Sequence, residues 1–195
     1  MANVHTLFDP ATSTLTYVVY DEKTRDCVVI DPVLDFDPPS GKITTQSFEK
    51  LATFIDSEKL RPLFVFETHA HADHLSSSQL VKRRYPDVKV TIGSRICEVQ
   101  KTFKSIFNLP DSFATDGRQF DRLLKDEETI KAGSLSIRII PTPGHTVACC
   151  CLLIEDMLFT GDALFMPDSG TGRCDFPGGS AKSLYQSISR RVYSL

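Results

Sequence analysis

The chain has 195 residues, 22 basic and 25 acidic side chains and a formal net charge of −3. Its 41% apolar content and 10 glycines are ordinary for a globular chain and exclude disorder, collagen and coiled coil. Near-balanced charge leaves no electrostatic footprint for nucleic acid or an anionic membrane, and no run approaches the ~18 apolar residues that span a bilayer.

The opening Met1-Ala2-Asn3-Val4-His5 has neither the basic-then-apolar pattern of a secretory signal nor the Arg/Ser-rich pattern of a transit peptide. The expected compartment is the cytoplasm, with the mitochondrial matrix the other choice if a leader has been removed. His5 reads as a surface histidine. Runs rich in Val, Ile, Phe and Thr predict strands over residues 15–20 and 27–31, and Asp37-Pro38-Pro39-Ser40-Gly41 predicts a turn. Phe48, Leu51, Ala52 and Ile55 then follow the i, i+3, i+4, i+7 rule of an amphipathic helix. A strand over 63–68 leads to a helix over 76–85, ended by Pro86, whose Lys82-Arg83-Arg84 run is a solvated face. After a strand over 89–92, Ile96, Val99, Phe103 and Ile106 mark the next helix. Strands follow over 135–140, 148–155 and 157–160, the first ending in the turn Pro141-Thr142-Pro143-Gly144. Pro177-Gly178-Gly179 precedes a last helical pattern of Ala181, Leu184, Tyr185, Ile188 and Val192, in which the period of Tyr185 suits packing. This order predicts an α/β chain, one domain over residues 1–195. It stops at Leu195 without a closing strand, so a C-terminal truncation is expected.

The six cysteines are Cys27, Cys97, Cys149, Cys150, Cys151 and Cys174. Three are consecutive in an apolar stretch whose alternate side chains face opposite ways, a poor geometry for bridging. They are expected to be buried and reduced, as in a reducing compartment. Cys174 has no nearby base that would make it a nucleophile.

The five histidines are placed unevenly. His69, His71 and His74 fall within Thr68-His69-Ala70-His71-Ala72-Asp73-His74, directly after an apolar strand. His145 follows the turn ending at Gly144, and Asp162 follows the strand over 157–160 and Gly161. Each is strand, tight turn, then imidazole or carboxylate, the usual way an α/β fold presents chemistry at strand ends. Imidazoles and carboxylates without a thiolate suit zinc, iron or manganese.

On these residues the chain resembles the metallo-β-lactamase superfamily. The motif His69-x-His71-x-Asp73-His74, then Gly144-His145, then Gly161-Asp162 match its successive metal motifs, and Asp31 matches its first. The resemblance implies an αββα sandwich with the metal at one edge of two sheets, here lacking its C-terminal strand and helix. Within the superfamily the chain is most similar to persulfide dioxygenases and β-lactamase-hydrolase-like proteins. The stretches that carry this are Glu67-Thr68-His69-Ala70-His71-Ala72-Asp73-His74-Leu75, Phe159-Thr160-Gly161-Asp162-Ala163-Leu164 and Gly172-Arg173-Cys174-Asp175-Phe176-Pro177-Gly178-Gly179.

That likeness implies one Fe(II) per chain, held by His69, His145 and Asp162, with His71, Asp73, His74 and Asp31 orienting the shell. It implies oxidation of glutathione persulfide by O2 to sulfite and glutathione, a sulfide-detoxifying reaction. Arg173 is the candidate to grip a glutathione carboxylate; a loop arginine bonded to Asp175 is the plainer role. The alternatives are a dinuclear Zn(II) thioester hydrolase like glyoxalase II, with Asp73 and His74 on the second metal, and an inactive truncated product. No histidine follows His145, so the last ligand of a standard dinuclear site is missing while the iron triad is complete. No nucleic acid or membrane partner is expected, and the sequence leaves a homodimer open.

Overall fold

The computed structural model describes residues 1–195. The chain divides into two compact units. Unit 1 is Met1–Glu67, His71–Thr91 and Lys131–Ser136; unit 2 is Thr68–Ala70, Ile92–Ile130 and Ile137–Leu195.

Unit 1 begins with β1 (Ala2–Asp9), β2 (Thr14–Asp21) and β3 (Asp26–Ile30), followed by β4 (Val33–Asp37), β5 (Lys42–Thr44) and α1 (Gln46–Ser57). It continues through β6 (Arg61–Glu67), β7 (Leu75–Ser76), α2 (Ser78–Arg84) and β8 (Lys89–Gly93), whose last residues belong to unit 2. The main sheet of unit 1 runs β1-β2-β3-β6-β8. β3 is antiparallel to β2 but parallel to β6. Every residue of β3 is buried, as a central strand covered on both faces should be. The apolar face of α1 is the expected one: Phe48, Leu51, Ala52 and Ile55 are all buried. Each of the three large side chains adds roughly 1.5–3 kcal/mol by leaving water. At the foot of the sheet, Asp26 accepts from Arg61 Nε at 2.9 Å and from the Ser134 N–H at 3.0 Å. Burial works against its ionisation, but the Arg61 guanidinium and the Ser134 amide outweigh that and hold the carboxyl below its ordinary value. A small sheet, β5-β4-β7, carries the chain away from the histidine loop.

Unit 2 contains α3 (Ile96–Ile106), β9 (Arg122–Leu124), the first two residues of β10 (Thr129–Ala132), β11 (Leu135–Pro141) from Ile137 onward, β12 (Cys150–Ile154), β13 (Met157–Phe159) and α4 (Ala181–Ser187). The antiparallel pair β11–β12 is in register from Ile137↔Ile154 to Pro141↔Cys150, and β12 pairs β13 from Leu152↔Phe159 to Ile154↔Met157. A single 3-10 turn, Gly161–Ala163, follows β13. The Ser180 hydroxyl caps α4 by accepting the Ser183 N–H at 3.2 Å, and the helix loosens into a π turn over Ile188–Val192. Leu184, Ile188 and Val192 pack with Ile140, Cys151 and Ala163, so α4 is fixed beside the turn that carries Asp162.

All seven expected strands are present, as β2, β3, β6, β8, β11, β12 and β13. The helix expected over 76–85 is shorter, because Leu75 and Ser76 pair with Leu34 and Val33 before it starts. Two side chains depart from their period. Tyr185 is 73% exposed rather than packed, and Ile106, at the fraying end of α3, is 54% exposed. His5 is not a simple surface residue: its ring stacks on Phe54 of α1, centroids 3.6 Å apart. No helix is long and apolar enough to cross a membrane.

Candidate metal centre

Three loops of unit 2 bring His69, His145 and Asp162 together, with one ligand atom from each inside a 4.8 Å set. The Oδ2 of Asp162 lies 3.4 Å from His145 Nε2 and 3.8 Å from His69 Nε2. The imidazole planes stand perpendicular, 88° apart, with centroids separated by 4.9 Å. The His145 Nδ1 lies 2.6 Å from the carbonyl oxygen of Arg173. A carbonyl only accepts, so Nδ1 carries a proton, and Nε2 is the nitrogen turned toward Asp162. The His69 Nδ1 is held at 3.0 Å by the Thr68 hydroxyl. Both imidazoles thus have the nitrogen away from the carboxylate fixed by a neighbour, the usual device for orienting a metal-binding histidine. The His69 and His145 side chains are buried, whereas that of Asp162 is 31% exposed, so the cluster opens on its carboxylate side.

Tight backbone packing holds the loops. The Gly172 N–H donates to the Asp162 carbonyl at 3.0 Å, and the Ser180 N–H to the Gly144 carbonyl at 2.8 Å. A Cβ at Gly172 would overlap that Asp162 carbonyl and stand 3.1 Å from His145 Nδ1, so only glycine fits there. Two imidazole nitrogens and one carboxylate oxygen, aimed at one point and braced from behind, fit a divalent transition metal.

Arg173 points elsewhere. Its guanidinium makes a two-nitrogen ion pair with Asp175, NH2 to Oδ2 2.8 Å, and lies 4.7 Å above the Phe176 ring. The pair is exposed, so a carboxylate ligand would compete with Asp175 for the fork. None of the six cysteines is in a disulfide. Burial pushes the Cys149 thiol up to about 12 and the Cys151 thiol up to about 11. Cys174 is half-buried, its thiol facing the Gly172 carbonyl.

Unit 1 holds the remaining expected residues. Asp31 sits at the end of β3 with a left-handed φ of 47°, its N–H bonded to the Phe66 carbonyl and its own carbonyl accepting from the Thr16 hydroxyl. Its Oδ1 lies 3.0 Å from His71 Nε2. Glu67, a buried carboxylate with no role in the sequence reading, stands 3.4 Å from the same nitrogen and accepts from the Ser76 hydroxyl. Burial disfavours a charged His71, but Asp31 and Glu67 outweigh it and raise the imidazole well above its ordinary value. The one sequence signal for Glu67 is a charged residue directly after the apolar run Pro62–Phe66. His71, Asp73 and His74 form a second set within 4.8 Å. The His71 and His74 rings stack 4.2 Å apart. His74 Nδ1 donates to the Leu75 carbonyl at 3.0 Å, and its buried Nε2 has no hydrogen-bond partner.

Compared with known proteins, the chain matches the Metallo-beta-lactamase superfamily profile over residues 9–193. The chain belongs to this superfamily. It is 47% identical over 174 residues to glyoxylase B2 of Dictyostelium discoideum, covering 89% of this chain and 60% of that protein. It is 32% identical to the human mitochondrial persulfide dioxygenase ETHE1, covering 97% of this chain and 62% of the human one. The crystal structure of ETHE1 from Myxococcus xanthus matches with a TM-score of 0.76 at 30% identity, covering 99% of this chain and 71% of that one. The chain therefore has the mixed α/β metallo-β-lactamase fold, and spans about three fifths of the two curated relatives' length.

Proposed function

We propose that this superfamily member is the metal-bearing part of an iron-dependent dioxygenase acting on glutathione persulfide. The balanced reaction is glutathione persulfide plus O2 plus water giving glutathione, sulfite and two protons. The observation that carries this reading is the pair of Nε2 atoms, from His69 and His145, facing one Asp162 oxygen at 3.8 and 3.4 Å. Two histidines and one carboxylate on a single face would hold one Fe(II) and leave it positions for dioxygen and a sulfur anion together.

The residues of the chain do the rest. The Arg173 carbonyl oxygen fixes the tautomer of His145, and the Thr68 hydroxyl orients His69. The Phe176 ring, edge-on to His145 at 5.2 Å, supplies an apolar wall that limits water beside the reacting sulfur. The Arg173 guanidinium, released from Asp175, takes a glutathione carboxylate by the same two-nitrogen geometry. Similarity to the human and Myxococcus persulfide dioxygenases supports the reading. It suits the cytoplasm or, as in the human relative's name, the mitochondrion.

A second reading is favoured by the partnerless Nε2 of His74 inside the His71–Asp73–His74 set. There a second metal would sit, and the chain would be a dinuclear zinc hydrolase of glutathione thioesters, in keeping with the glyoxylase B2 name of its Dictyostelium relative. Oxygen consumption with glutathione persulfide, run beside hydrolysis of lactoyl-glutathione, separates the two. Uptake of one O2 per persulfide without thioester cleavage supports the dioxygenase; thioester cleavage alone rejects it.

A further inference from the structure

Cys149, Cys150 and Cys151 make sulfur contacts to all three loops that carry His69, His145 and Asp162. The Cys149 Sγ accepts the Thr146 N–H at 3.2 Å and lies 3.1 Å from the Thr146 hydroxyl, one residue past His145. That hydroxyl in turn accepts the Ala148 N–H at 3.2 Å, closing a small ring of bonds around the loop. The Cys150 thiol donates to the Thr68 carbonyl at 3.5 Å, one residue before His69, alongside its own N–H at 3.0 Å. The Cys151 thiol donates to the Thr160 carbonyl at 3.5 Å, two residues before Asp162, and lies 3.4 Å from the Thr142 hydroxyl.

Successive residues at a strand start point in different directions, so one tripeptide reaches three loops that a single side chain could not. The backbone of this tripeptide is anchored by β12 and by the Cys149 carbonyl, which accepts the Thr142 N–H at 2.9 Å. Sulfur suits such a brace, because it fills space like a small apolar side chain yet offers a weak donor and acceptor.

We propose that Cys149-Cys150-Cys151 is a positioning element that sets the mutual placement of His69, His145 and Asp162. The inference rests on those three residues holding a metal. The thiols are neither ligands nor nucleophiles; they act through the loops.

The test uses the full chain and the metal itself, with Ala and Ser variants at each of the three positions. Fe(II) affinity is measured by chelator competition, and site geometry by the visible absorption bands of the Co(II)-loaded protein. Replacement by Ala should weaken Fe(II) binding about tenfold, the lower end for residues that brace metal ligands, and shift the Co(II) bands. Replacement by Ser, which keeps a donor, should fall between wild type and Ala. A purely space-filling role gives the opposite order, because a buried hydroxyl without a partner is worse than a methyl group. Ala variants that melt lower but keep wild-type affinity and Co(II) bands overturn the proposal, as do Ser variants that bind more weakly than Ala. If an Ala variant does not fold, a Ser variant holding affinity within about threefold supports the proposal, and one losing about tenfold or more overturns it. Failure of the underlying reading looks different: wild-type metal binding would then be indifferent to His145→Ala.

Discussion

The imidazole of His145 is held from behind by the carbonyl of Arg173, 2.6 Å from Nδ1, while its Nε2 faces Asp162 at 3.4 Å. One backbone oxygen from the 172–179 loop thus fixes both the tautomer and the direction of a proposed ligand. Replacing the ring removes a ligand, whereas disturbing the loop only misdirects it.

The Gly172→Ala substitution separates these effects. The added methyl overlaps the Asp162 carbonyl and presses on His145 Nδ1. We expect Fe(II) affinity to fall about tenfold with the fold retained, while His145→Ala abolishes binding. Chelator competition on the two proteins measures the difference.

Arg173 and Asp175 form an exposed ion pair, and under the proposed function a substrate carboxylate competes with Asp175 for the guanidinium. Arg173→Ala should raise KM for glutathione persulfide about tenfold with kcat little changed, as loss of uniform binding does. Asp175→Asn, which frees the fork, should lower KM. Steady-state oxygen uptake reads both, and equal KM values in all three proteins would remove Arg173 from the substrate site.

The metal is also expected to stabilise the chain. A ligand present at about 100 times its Kd adds roughly 2.7 kcal/mol to the native state. For a chain of this size that corresponds to about 5–10 °C in Tm, so a strong chelator should lower Tm by that amount, followed by calorimetry.

Asp26 should dominate the acid sensitivity of unit 1. Its folded pKa lies below the ordinary carboxylate value, so the stability it contributes is present above that value and is lost as pH falls through the folded one. Asp26→Asn should lower Tm at pH 7 by about 5 °C, the order expected for a buried charge-assisted bond, and flatten the fall in Tm between about pH 5 and pH 3. Thermal melts across that range decide it.

The elements legible in the sequence were those whose signal is local. The apolar run that became β6, the β12–β13 hairpin and the four-residue face of α1 all declare themselves by composition or period. β1 did not: Ala2–Asp9 is an edge strand, with Val4 and Phe8 exposed, and its pairing with β2 supplies what its pattern lacks. β4, β5 and β7 have five, three and two residues and exist through pairing to one another, which no local window contains. At the site, motif spacing pointed to the residue set but not to its partners. The buried Glu67 beside His71, the Arg173 carbonyl behind His145 and the three cysteine sulfurs against the ligand loops depend on chain segments brought close only by folding. The fork of Arg173 was legible in kind, and its engagement by Asp175 is one of the two roles its position allowed.

The central claim, one iron on His69, His145 and Asp162, is tested most directly by metal content after anaerobic purification, in wild type, His145→Ala and His74→Ala. One iron per chain in wild type, none in His145→Ala and full occupancy in His74→Ala is the predicted result. Two zinc ions per wild-type chain, or loss of iron in both variants, would contradict it.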